Sequence, residues 1–155
     1  MQTPAINILH HPPYHDVGTR IIPIYDINAA ANLQTLFANN SQHVLGEIKI
    51  PNAPACDGAI YVRGDSMYPL VKTGDLVAYK QLNTIESVIS GEMYVVDFQI
   101  NGDDFLVVKY VQKEEDTINF RLVSYNQHHK DIVIPRSAVR AVALVKIVIR
   151  VSSMV

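Results

Sequence analysis

Val62-Arg63-Gly64-Asp65-Ser66-Met67-Tyr68-Pro69-Leu70 leaves one apolar run and, after Val71-Lys72-Thr73-Gly74-Asp75, enters another at Leu76. Gly64 marks a sharp change of direction at the end of a strand, and Ser66 sits on that turn. A serine in a tight turn after a strand can be exposed with nearby backbone N–H groups pointing towards it, which is the geometry an oxyanion site needs. A serine capping the short helical turn that begins there accounts for the same residues, and the local sequence by itself favours the cap.

Further along the chain, Val107-Val108-Lys109-Tyr110-Val111 sets a single lysine in an apolar strand. Period-2 alternation puts Lys109 on the face of Val107 and Val111. A lysine is almost never buried without a reason. Burial disfavours the ammonium, and a neutral amine beside a serine hydroxyl can take its proton, the task histidine performs in the usual triad. The alternative is an exposed lysine on an edge strand, where it deters aggregation. Taken alone, that alternative is the stronger.

Around these two segments the chain is mostly strand. Residues 21–25, 44–50, 59–62, 76–79, 93–98, 105–111, 119–123 and 132–134 read as strands between Gly, Asn, Asp or Pro turns, and residues 141–151 as a long final strand. Asn101-Gly102 between two such runs is a strong hairpin signal. Residues 32–39 suit about two helical turns, with Leu33, Leu36 and Phe37 on one face. Ala29–Ala31 reads as a helix start packed against the core. Residues 1–19 read as a linker or arm, broken by His10-His11-Pro12-Pro13-Tyr14-His15. These histidines are expected to be a Pro-interrupted segment rather than a metal site. The expectation is a mainly β domain over residues 20–155.

The 155 residues suffice for one core, with 48% apolar and 18% charged residues. A net charge of −2 gives no basic excess of the kind that grips phosphates, so this chain is not expected to hold DNA by itself. A lone cysteine, Cys56, excludes an internal disulfide framework and a cysteine-based zinc site, and reads as a structural thiol in a reducing compartment. The longest apolar run is interrupted by Arg140, Lys146 and Arg150, and no signal peptide is evident, so a cytoplasmic protein is expected.

Taken together, Gly64-Asp65-Ser66-Met67, Gly74-Asp75-Leu76, Gly91-Glu92, Val108-Lys109-Tyr110 and Leu122-Val123-Ser124-Tyr125-Asn126 closely resemble the self-cleaving peptidase domain of the LexA repressor, lambda-type phage repressors and the UmuD mutagenesis protein. The likeness spans about residues 21–151. It implies a LexA/signal-peptidase-like fold of short, strongly bent strands with one or two short helical turns. It implies Ser66 as nucleophile, Lys109 as general base, and the backbone of Ser66 and Met67 as oxyanion holder, with no cofactor or metal. The family's substrate is its own upstream segment, cut after a small residue and before glycine, roughly thirty-five residues before the serine. Here that bond is Ala31–Asn32, with Asn32 where the family has Gly. Asparagine is the next most tolerant residue for positive φ, but it carries bulk.

The resemblance further implies a homodimer, a RecA filament on single-stranded DNA as inducer, operator DNA bound only through an N-terminal domain that is missing here, and no membrane partner. A catalytically silent dimerisation and sensor module, a UmuD-like SOS protein and a signal-peptidase-like enzyme acting on other proteins remain alternatives.

Overall fold

The computed structural model describes residues 18–153; the His- and Pro-rich start, including His10, His11 and His15, lies outside them. Among the described residues, alternation and turn chemistry produce nine strands: β1 (Thr19–Tyr25), β2 (Val44–Pro51), β3 (Gly58–Tyr61), β4 (Leu76–Gln81), β5 (Met93–Ile100), β6 (Asp103–Lys113), β7 (Asn119–Val123), β8 (Ile132–Pro135) and β9 (Val139–Ile149). Asn101 and Gly102 both take positive φ, 53° and 84°, and close a two-residue turn in which Ile100 pairs with Asp103. That backbone matches the right-handed twist of the flanking strands.

The strands form one mixed sheet in the order β2-β1-β3-β4-β9-β5-β6-β7-β8. Only the short β1–β3 contact, Ile24 to Ala59, is parallel. β4 and β5 are consecutive along the chain but do not pair with each other. Each pairs with β9, which joins the two halves of the sheet. The mainly β expectation therefore holds.

Two short helices cross one face: α1 (Ile27–Ala30) and α2 (Leu33–Ala38). Leu33 and Leu36 are fully buried and Phe37 half-buried, as the helical spacing requires. They share a core cluster with Ile27, Ile60, Met67, Val71 and Val108. α1 takes in Ala29 and Ala30 of the expected helix start, but begins at Ile27 and ends before Ala31. Its N-cap Asp26 accepts from the N–H groups of Asn28 and Ala29, both at 3.1 Å. No helix among the described residues is long and apolar enough to cross a membrane.

Candidate active site

The turn that carries Ser66 is closed at its neck. Val62 N–H donates to Asp75 C=O and Gly74 N–H to Val62 C=O, each at 2.9 Å. Thr73 Oγ accepts from Gly64 N–H and donates to Gly64 C=O, both at 3.0 Å. Gly64 and Gly74 adopt φ of 97° and 92°, which side-chain-bearing residues rarely take. The Asp75 carboxylate is buried. It accepts from Lys72 N–H at 2.8 Å and from the Arg150 guanidinium at 2.7 Å, while Arg150 also reaches Pro69 C=O at 3.2 Å. The guanidinium holds the Asp75 carboxyl below the usual carboxylate range. Met67 is buried in the core and fixes the turn from below. Among the described residues, nothing accepts from the N–H groups of Ser66 or Met67.

Lys109 is 5% exposed. It lies on an internal strand, with β5 on one side and β7 beginning beside it, not on the exposed face of an edge strand. Burial pushes its amine below the ordinary lysine value, and the nearby Asp65 charge partly opposes this. Its Nζ donates to Ser124 Oγ at 2.5 Å. Among the described residues no hydrogen bond joins it to Ser66.

What brings the two segments together is the run after β7. Asn126 N–H donates to Ser66 C=O at 2.9 Å, its side-chain amide to Asp65 C=O at 3.0 Å, and Tyr125 N–H to Met67 Sδ at 3.4 Å. His129 pairs with the Asp65 carboxylate at 2.8 Å. Ser124 holds the amine, and two residues later Asn126 holds the serine's own backbone.

Ser124 is the residue that sequence reasoning missed. The signal was present in the pairing: Tyr110 stands opposite Val123, so in an antiparallel ladder the next step puts Ser124 across from Lys109.

A cleft of about 290 Å³ lies alongside, lined by Ile60–Arg63 of β3 and its exit, by Leu106–Val108 of β6, and by Ile27, Asn28 and Ala31. Its walls include strand edges without partners among the described residues. β3 meets β1 only at Ala59, and β6 meets β7 only from Tyr110 onwards. Ala31 is exposed at the C-cap of α1 with φ 72° and ψ −39°. Asn32 is the N-cap of α2, and its side chain accepts from Thr35 N–H at 2.7 Å. The Ala31–Asn32 bond thus borders the cleft, at a junction between two helices. Cys56 is half-buried; burial raises its thiol, which donates to Pro54 C=O at 3.4 Å, so it behaves as a structural thiol.

No curated protein matches the chain. A family model described as Peptidase S24-like matches residues 23–148, a span that takes in the serine turn, the lysine strand and the run that joins them. The chain therefore belongs to the Peptidase S24-like family, that of the C-terminal domains of LexA, UmuD and the phage repressors.

Proposed function

We propose that this chain is the regulatory domain of a LexA- or phage-repressor-like protein that cuts itself at Ala31–Asn32 through Ser66 and Lys109. The observation that carries the reading is the burial of the Lys109 amine, oriented by Ser124, beside the run that grips the Ser66 backbone. A neutral amine in that place serves as a general base.

In the reaction, Ser66 Oγ attacks the Ala31 carbonyl carbon and Lys109 Nζ takes the hydroxyl proton. The N–H groups of Ser66 and Met67 receive the oxyanion. The C–N bond breaks, the proton passes from Lys109 to the Asn32 nitrogen, and water then hydrolyses the Ser66 ester. Both reactants belong to one chain, so effective concentration replaces affinity. To reach Ser66, residues around Ala31 leave their helical arrangement and extend along the free edges of β3 and β6, where backbone hydrogen bonds are on offer. By the same reading the partners are a second copy of the chain and a RecA filament on single-stranded DNA.

Mass measurement after alkaline incubation tests this. The expected products are residues 1–31 and 32–155, lost in both Ser66→Ala and Lys109→Ala. Absence of fragments, or fragments that survive either substitution, overturns it. One observation favours a silent module instead: Asn32 is engaged as a helix cap. Cleavage seen only in Asn32→Gly would favour that reading.

A further inference from the structure

Asp97 lies in the middle of β5 and is fully buried, yet it carries a carboxylate. One oxygen accepts from Arg140 of β9, through Nε at 3.0 Å and through Nη2. Arg140 also reaches Asp104, by the β5–β6 turn, at 3.0 Å. The other Asp97 oxygen accepts from the backbone N–H of Gln34 at 3.1 Å. Gln34 is the second residue of α2, and its N–H is one of those that a helix leaves unsatisfied in its first turn.

A buried carboxylate needs its charge matched and its lone pairs filled. Arg140 and Asp97 would satisfy each other within the sheet. The second oxygen does something further: it clamps the start of α2 to the strand layer, directly after the Ala31–Asn32 bond. Asn32 holds the neighbouring N–H of Thr35 from outside. Both first-turn amides are thus held, one by a local cap and one by a charge anchored in the core. Leu33 and Leu36 add apolar anchorage but do not fix the first-turn backbone.

We propose that Asp97 is a latch, poised by Arg140, that keeps the α1–α2 junction closed and so sets the rate at which the Ala31–Asn32 bond can be presented to Ser66. This rests on the self-cleavage reading for its consequence but not for its physical content. Asp97 is a positioning residue: it touches neither the scissile bond nor the dyad. A charge-assisted hydrogen bond of this kind, once removed, raises the open population of the first turn by about tenfold or more.

Two readouts separate the latch from the chemistry. In a Ser66→Ala background, where no self-cleavage occurs, amide hydrogen exchange of residues 32–38 is compared with and without Asp97→Asn. Exchange there rises about tenfold while β5 and β9 stay protected. Should Asp97→Asn fail to fold, the pair Asp97→Val with Arg140→Met keeps the strands packed, since apolar replacements of buried ion pairs are commonly tolerated, and removes the clamp together with the Arg140–Asp104 contact by the β5–β6 turn. With Ser66 intact, the same substitutions speed self-cleavage by a similar factor. Unchanged exchange in α2, or an equal rise across the whole sheet, overturns the latch. Raised exchange in α2 with no cleavage in any variant leaves the latch standing and removes the self-cleavage reading instead.

Discussion

At the scale of single residues, the proposal for Ser66 turns on two side chains. Lys109 is buried, and burial lowers its amine from the ordinary 10.5. In the proposed mechanism the neutral form is the base, so the self-cleavage rate is expected to climb with pH and to level off above the amine's folded value, with its midpoint below 10.5. A pH–rate profile followed by mass measurement checks this. The same shift acts on stability. Between the folded value and 10.5 the unfolded chain binds more protons, so stability rises with pH across that window. Lys109→Met removes that slope in denaturant titrations run at several pH values. Ser124 acts on the amine's direction. Ser124→Ala slows self-cleavage by roughly tenfold to a hundredfold, and Ser124→Thr restores most of the rate. Equal denaturation midpoints separate this from a loss of folding, which would lower the cleaving fraction in the same way.

At the scale of elements, the nine strands were legible because each is a short apolar run between turn residues, and because Asn101-Gly102 fixes a hairpin whatever surrounds it. α2 was legible from the spacing of Leu33, Leu36 and Phe37. α1 was legible only as a helix start at Ala29–Ala31; its bounds were not, because four residues cannot display a 3.6-residue period and its start is marked only by Asp26. Ser66 and Lys109 stood out as types out of place in their surroundings. Ser124 and Asp97 did not, because their roles depend on pairings across strands that no local pattern encodes. The junction between α1 and α2 is strained at Ala31, whose φ of 72° is one that Gly adopts freely. Ala31→Gly is expected to stabilise the fold by about 1 kcal/mol, measured by chemical denaturation, less what glycine adds to the entropy of the unfolded chain.

At the scale of the whole molecule, β9 joins two groups of strands that otherwise share no ladder. Arg150, just past its end, reaches back to Asp75 and fastens the serine turn to this central strand. Asp75→Asn removes the charge that faces Arg150, which still reaches Pro69 C=O, and leaves one acceptor oxygen where two served Arg150 and the Lys72 N–H, so it costs about 2 kcal/mol at neutral pH. Because the folded carboxyl lies below its ordinary 3.8, the wild-type advantage is complete above that value and is lost as pH falls through the folded one. Thermal melts of the two proteins therefore converge in acid.

β1 lies upstream of Ala31, yet its seven residues are paired along β2 and it contacts β3, with Ile22 and Tyr25 packed in the interior. Hydrolysis after Ala31, as proposed above, would turn that strand from a covalent part into a non-covalent guest. Anything carried ahead of β1 would stay tethered to a nicked but intact body. The moment of parting would then be set by how fast one ribbon peels away, with dilution and warmth, rather than bond breaking, as its clock.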